Sequence, residues 1–358
     1  MSEAKGSRRQ RNAPTISDVA ARAEVSPMTV SRVINGESNV RPETRKRVEA
    51  AIKALDYSPS SAARTLAGGE EIRIGLLHSN PSFNYLSQLL VGSLDQASRL
   101  NVQLIVEKCD DEAEEESAVA HLIGARLDGI ILTPPLSESM PVLEAIHQRN
   151  IPVVAVATGR APDWALSVSI NDQAAAYEMT RHLAALGHTR IGFIKGNPRQ
   201  TASEERLQGY KDALKDAGLP DAPELIAPGL FTYRSGLDAA DLLLDLENPP
   251  SAIFASNDDM AAAAVAIAHR RGLDVPSDLT VCGFDDTALA TTIWPELTTI
   301  RQPVFDMSRT AVDLLVREIR ARNASGKATS HPHVMAEYTL VRRQSDAAPR
   351  RRPSAPRR

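Results

Sequence analysis

TISDVAARAEVSPMTVSRVING, residues 15–36, decides how the front of this chain folds. Thr15 stands where a helix N-cap belongs, Asp18 is placed to return the capping hydrogen bond, and Ile16, Val19, Ala20 and Ala23 share one helical face. A turn follows at Glu24 and Val25. Ser26 then caps a second helix that starts with Pro27, where a missing N–H removes no bond. On that helix Val30, Val33 and Ile34 point inward, while Pro27, Met28, Thr29, Ser31 and Arg32 point outward. Two short helices joined by a tight turn can set the second in the DNA major groove, so the outward face is the expected reading surface. An ordinary helical hairpin has the same spacing, and the flanking sequence separates the two readings.

A third helix is expected from about Pro42 to Leu55, carrying Arg45, Lys46 and Arg47, and LDYSPSSAARTLAGG follows at residues 55–69. The whole run resembles the headpiece and hinge of the lactose-repressor (LacI/GalR) family. The family signatures D-V-A, T-V-S-R-V-x-N and Y-x-P-x-x-x-A-R-x-L stand here as Asp18–Ala20, Thr29–Asn35 and Tyr57–Leu66. The likeness continues to about Arg343. It implies an all-α helix-turn-helix headpiece followed by an α/β core of two periplasmic-binding-protein-like lobes with parallel sheets.

The resemblance further implies a transcription repressor that binds a palindromic operator as a homodimer. Its DNA contacts would come from Thr15, Ser26, Pro27, Met28, Thr29, Ser31, Arg32, Asn35, Tyr57, Arg64 and Leu66. Residues 59–66, with two serines and Gly68-Gly69 beyond, are too short for a stable helix in water. In the family such a segment folds when two chains pair on DNA, with the residue at Leu66 wedged into the minor groove.

Charge follows the same division. Residues 1–69 hold 12 Lys and Arg against 7 Asp and Glu, residues 342–358 hold 7 Arg against one Asp, and the stretch between holds 22 against 37. A net charge of −4 thus hides a basic front suited to phosphates and an acidic body that phosphates would repel. Cys109 and Cys282, far apart, suggest no disulfide framework. The opening MSEAKGSRRQRN has no apolar core for a secretory signal, and no run of about 18 apolar residues is present to span a membrane, so a cytoplasmic protein is expected.

From residue 72 short apolar strands alternate with helical stretches. IRIGLL (72–77), QLIVEK (103–108), GIILT (129–133) and PVVAVA (152–157) form one set, and RIGFIK (190–195), SAIFAS (251–256) and LTVCGF (279–284) begin a second. Strands apolar on both faces with helices between them indicate parallel sheets covered on both sides. The expected units are a basic arm (1–14), a headpiece (15–58), a hinge (59–69), a first lobe (72–170 and 300–332), a second lobe (171–299 and 333–343) and a disordered basic tail (344–358).

Ligands of open parallel sheets sit beyond the C-terminal strand ends, here Ser79, Asn80, Thr133, Asn257 to Asp259 and Phe284 to Asp286. Family resemblance adds Tyr85 and matches effector-binding positions with Arg206, Phe231, Asn257 and Asp285. A carboxylate accepting from vicinal hydroxyls, a forked guanidinium and an aromatic face suit a mono- or disaccharide. Arg206 could instead pair with Glu204 or Glu205, and Asp286 could cap its own loop. Two departures bear on the ligand: Ala157 stands where many members have Asp, and Leu86 follows Tyr85 where the purine repressor has a second aromatic, which favours sugar over purine.

No catalytic residues, metal ligands or cofactor are expected. The eight His show no metal-ligand spacing, His331 and His333 lack partners close in sequence, and no G-x-x-x-x-G-K-[ST] loop occurs. The paired acids Asp258-Asp259 and Asp285-Asp286 could serve acid–base chemistry, but a binding cleft accounts for them without it. Three alternatives remain at this point: a sugar-binding protein, an enzyme on the same fold, and a carbon-control regulator answering to a phosphocarrier protein.

Overall fold

The computed structural model describes residues 14–34, 40–55, 57, 72–79, 82–109, 112–325 and 332–350. It divides into two compact units, residues 1–71 and 72–358. Asn35, Arg64, Leu66, Asn80, the hinge at 59–69, most of the N-terminal arm and the last eight residues lie outside the described residues.

In the first unit α1 (Ile16–Ala23), α2 (Pro27–Ile34) and α3 (Pro42–Leu55) pack around Val19, Ala20, Ala23, Val30, Val33, Val48 and Ala51. The capping box forms: Thr15 N–H donates to Asp18 Oδ2 at 2.8 Å and Asp18 N–H donates back to Thr15 Oγ1 at 3.4 Å. Glu24 ends α1 in the left-handed region at φ 51°. Tyr57 is 7% exposed and completes this core, because helices with mostly Val and Ala between them need one large ring to fill the centre.

The second unit holds two six-stranded sheets. The first has the order β11-β5-β4-β3-β1-β2, with β1 (Arg73–His78), β2 (Gln103–Lys108), β3 (Gly129–Leu132), β4 (Val153–Val156), β5 (Leu166–Ser169) and β11 (His333–Met335) all parallel. The helices on this side are α4 (Phe83–Leu100), α5 (Glu115–Gly124), α6 (Met140–His147) and the long α12 (Val304–Ser325). The second sheet runs β12-β10-β9-β8-β6-β7 and comprises β6 (Ile191–Ile194), β7 (Ile226–Ala227), β8 (Ala252–Ala255), β9 (Thr280–Asp285), β10 (Thr298–Arg301) and the antiparallel β12 (Thr339–Val341). Its helices are α7 (Asp172–Ala185), α8 (Thr201–Asp216), α9 (Tyr233–Leu244), α10 (Asp258–Arg270) and the short α11 (Leu289–Thr292). Strands β3, β4, β6 and β8 are buried throughout, which is why they read as unbroken apolar runs.

The chain crosses between sheets three times: after β5, after β10, and between β11 and β12. The last crossing corrects the expected division, since His333–Met335 pair with β5 of the first lobe and only residues from Thr339 join the second. The tail is corrected as well. Residues 344–350 lie along the second lobe, with Ser345 fully buried: its N–H···O partners include Val281, whose N–H donates to the Ser345 carbonyl at 2.9 Å, while its Oγ accepts from Thr298 N–H at 2.8 Å. Asp346 accepts from His182 Nε2 at 2.8 Å, and Ala347 exchanges bonds with Thr280 and His188. This strap is held by polar bonds rather than an apolar stripe, so hydrophobic periodicity gives no sign of it. Among the described residues no helix is long and apolar enough to cross a membrane.

Candidate functional site

On the headpiece, α2 presents Pro27, Met28 and Arg32 to solvent, with Met28 63% exposed although it is a large apolar side chain. Thr29 and Ser31 are half-buried. Thr15 and Ser26 serve as caps: Thr15 Oγ1 also donates to Asp18 Oδ2 at 2.7 Å, and Ser26 Oγ accepts from Thr29 N–H at 3.2 Å. Both caps remain exposed at helix N-termini, where backbone N–H groups favour an anion such as phosphate.

In the second unit a cleft between the lobes encloses about 360 Å³, counting the part open to solvent. Ser82, Tyr85, Pro134 and Ala157 line it from the first lobe, Gln200, Ala202, Arg206, Phe231, Asn257 and Asp285 from the second, and Gln302 at a crossing. Five of the eight expected effector residues therefore converge. Thr133 and Ser79 do not. Thr133 is fully buried, with both its N–H and its Oγ1 directed at the Leu77 carbonyl (3.3 and 3.5 Å), and it is the next residue, Pro134, that reaches the cleft. Ser79 is half-buried at the end of β1 and is not among the lining residues.

Arg206 is 5% exposed and pairs with Asp172, not with either neighbouring glutamate: Nε donates to Asp172 Oδ1 at 2.7 Å and Nη1 to the Ser256 carbonyl at 2.5 Å. Its guanidinium carbon stands 3.6 Å from the Phe284 ring centroid and 5.6 Å from that of Phe231. Among the described residues Nη2 has no partner, so one edge of the fork stays available to a ligand. Asp285 receives Gln302 Nε2 on Oδ1 at 2.5 Å; burial pushes its carboxyl up and nearby Arg206 opposes that shift. Oδ2 carries no bond from the described residues.

Asn257 is committed to structure. Oδ1 caps α10 by accepting from Met260 N–H at 3.0 Å, and Nδ2 donates to the Phe231 carbonyl at 3.0 Å, leaving one amide hydrogen. That second bond holds Phe231 at φ 61°, and Ala157 (φ 52°), Asp285 (φ 108°) and Asp286 (φ 55°) share positive φ in the same region. Backbone strain of about 1–3 kcal/mol per residue gathers at ligand sites where the surroundings over-determine it.

The remaining acids have structural partners. Asp258 accepts from Thr287 N–H (2.7 Å) and Thr299 Oγ1 (2.7 Å), and burial pushes its carboxyl up to about 7. Asp286 pairs with Arg301 and Arg343, each at 2.6 Å. Among the described residues no group of three or more His, Cys, Asp or Glu is arranged to hold a metal.

Several polar features of the lining escaped the sequence reading. Tyr85 was expected, but not that its hydroxyl would be buried without a partner beside Asp285, which together with burial pushes the phenol up. Gln200, 6% exposed with Nε2 unpartnered, precedes α8 and had no sequence signal, since a glutamine before a helix is commonplace. Gln302 lies in the stretch recognised only as the return between lobes.

Comparison with known proteins finds a family match in each of the two units. Residues 15–60 match the bacterial regulatory proteins of the lacI family, and residues 180–345 match a periplasmic binding protein-like domain. Catabolite control protein A of Priestia megaterium is 34% identical over 322 residues, covering 89% of this chain and 96% of that protein. A complex of the transcriptional regulator CelR with cellobiose superposes with a TM-score of 0.70 at 31% identity, covering 93% of this chain and all of the other. The lac repressor dimer bound to operator and the anti-inducer ONPF gives 0.77 at 28% identity, covering 94% of this chain and all of the other.

Proposed function

This chain belongs to the lacI family of bacterial regulatory proteins, and from that premise we propose that it is a homodimeric, ligand-controlled transcription repressor rather than an enzyme. The observation that carries the reading is the presence, in one chain, of an exposed α2 face and a cleft with unpartnered polar atoms from both lobes. Arg32 would read guanine in a palindromic operator, Met28 would touch a thymine methyl, and Leu66 would open the central step. Phe83, Val91 and Leu94, exposed on α4, give an apolar face for pairing with a second copy.

The effector is a mono- or disaccharide. Asp285 Oδ2 accepts from its hydroxyls, Arg206 Nη2 and Gln200 Nε2 donate, and Phe231 covers an apolar face. A ligand that touches both lobes changes operator affinity only by favouring one lobe arrangement, with coupling typically about 1–3 kcal/mol.

A second reading, a carbon-control regulator answering to a phosphocarrier protein, is favoured by the 34% identity with a catabolite control protein. One experiment separates them. Selection of operator DNA by the purified protein is followed by gel shift with a saccharide panel; a sugar that moves the operator midpoint supports the first reading. Operator binding indifferent to every sugar and altered by a phosphorylated carrier protein supports the second, and failure to select any DNA overturns both.

A further inference from the structure

Four helices of the core begin beside cleft-lining residues: α4 after Ser82, α8 after Gln200, α9 after Phe231 and Thr232, and α10 after Asn257. Helix N-termini are ready anion sites, because their first N–H groups lack partners and the helix dipole favours negative charge. Three of the four have neutral side-chain caps from their own chain neighbourhood: Ser82 accepts from Tyr85 N–H at 3.3 Å, Thr232 from Ser235 N–H at 3.1 Å, and Asn257 from Met260 N–H at 3.0 Å. The Ser82 hydroxyl in turn donates to Asp259 of the other lobe, which among the described residues reaches side chains and no backbone N–H of α4.

The fourth is closed differently. Gln200, at the N-cap of α8, makes no capping bond. Glu138, from the other lobe, takes that place, accepting from Thr201 N–H on Oε2 at 2.7 Å and from Thr201 Oγ1 on Oε1 at 2.6 Å. Thr201 Oγ1 in turn accepts from Gly159 N–H at 3.1 Å, so the first lobe grips the first turn of α8 twice. Thr201 itself sits between the lining residues Gln200 and Ala202.

We infer that Glu138 acts as a tethered anion: it occupies the α8 N-terminus, fastens the lobes over a neutral, hydroxyl-rich ligand, and excludes the phosphorylated or otherwise anionic form of that ligand. The inference rests on reading the cleft as the effector site. The local charge agrees. Among the described residues Arg206 is the one buried guanidinium of the cleft and is already paired with Asp172, and Glu205 and Asp285 lie within its reach. Glu138 stands near Glu205 and the exposed Arg160, and Arg199 beside Gln200 is taken by Glu115. Burial pushes Glu138 and Glu205 up; at Glu205 the carboxylates of Asp172 and Glu138 add to the shift, whereas at Glu138 the Thr201 hydrogen bonds oppose it by favouring the anion. The donors left over, Arg206 Nη2, Gln200 Nε2, the Tyr85 hydroxyl and one Asn257 amide hydrogen, match hydroxyl oxygens, and only the first of them carries charge to offer a phosphate.

The test measures melting temperature and binding for matched pairs: glucose and glucose 6-phosphate, galactose and galactose 6-phosphate, ribose and ribose 5-phosphate. It uses the full-length protein, Glu138→Gln and Glu138→Ala, with inorganic phosphate as a separate probe at constant ionic strength. The wild type should bind the neutral member of a pair at least about 10-fold more tightly than the phosphorylated one, as like charges across a binding surface require. Both variants should narrow that gap, and inorganic phosphate should raise the melting temperature of Glu138→Ala but not of the wild type. A phosphorylated sugar that binds the wild type as tightly as its parent overturns the inference and leaves the effector reading intact. If no sugar of either form binds, the saccharide reading fails instead. The phosphate arm then decides the role of Glu138, and equal response, or none, in wild type and Glu138→Ala removes it.

Discussion

Arg206 stacks its guanidinium on the ring of Phe284, 3.6 Å from the centroid, while its Nε is bound to Asp172. The face of the cation is thus used by the protein, the inner edge by a buried carboxylate, and one outer edge remains for a ligand. Arg206 is as much a core residue as a binding residue.

Replacing Arg206 by Ala would leave Asp172 buried and unpaired as well as removing the ligand contact. Breaking a buried pair in this way costs about 3–5 kcal/mol. Thermal unfolding of Arg206→Ala should show a lower melting temperature even without ligand; an unchanged melting temperature would mean that the pair with Asp172 contributes nothing.

Tyr85→Phe is the cleaner probe of the cleft. The Tyr85 hydroxyl is buried without a partner, and such a group costs about 1–3 kcal/mol until something bonds to it. Without ligand the variant should melt at or above the wild-type temperature, yet bind effector more weakly. Calorimetry on the two proteins measures both effects, and loss of ligand-free stability would contradict the assignment.

Arg32→Ala should weaken specific operator binding by about 1–3 kcal/mol and relax discrimination at one base pair in each half-site. The core melting transition and effector binding should be untouched. Competition binding with single-base operator variants tests this, and unaltered selectivity would move the reading surface away from that side chain.

The strap at residues 344–350 is expected to respond to pH through His188. Burial lowers the pKa of His188 from its ordinary 6.5, while it bridges Ser251 and the Ala347 carbonyl, both at 2.8 Å. A depressed folded-state pKa means that the unfolded chain takes up the proton first, so this contribution is present above pH 6.5 and is lost as pH falls below it. Amide exchange at Val281 and Ala347 should therefore quicken below that point relative to the β6 amides, and His188→Gln should flatten the dependence.

Much of this was legible in the sequence, for physical reasons that differ by element. The headpiece reads clearly because each of its devices is local: the Thr15–Asp18 box, the Ser26-Pro27 start and the Val30–Val33 face are set within a few residues. Six of the seven expected strands read clearly because burial on both faces demands apolar runs, while β2, at the edge of its sheet and partly exposed, read clearly from its LIV centre. Strand β5, LSVS, did not, since its serines find partners such as His333 far along the chain. Nor did β11 and β12, three residues each, whose place is set by their neighbours rather than their composition. At the cleft the family motif brought forward Arg206, Asn257 and Asp285, but only coordinates reveal that Asn257 spends its amide on Met260 and Phe231. The core packing of Tyr57 was hidden for a related reason, because a motif records that a residue recurs and not what its ring packs against.

The three crossings between sheets also govern the order in which this protein can be made. A ribosome releases the headpiece complete once Tyr57 has emerged, since its core draws on nothing later in the chain. Neither lobe of the core has that independence. The first sheet lacks its edge strand until His333–Met335 appear, and the second lacks both Thr339–Val341 and the strap that caps β9. Both lobes must therefore wait, partly assembled, for the same last stretch of synthesis, and a chain broken off near residue 300 would leave two unfinished sheets rather than one finished lobe.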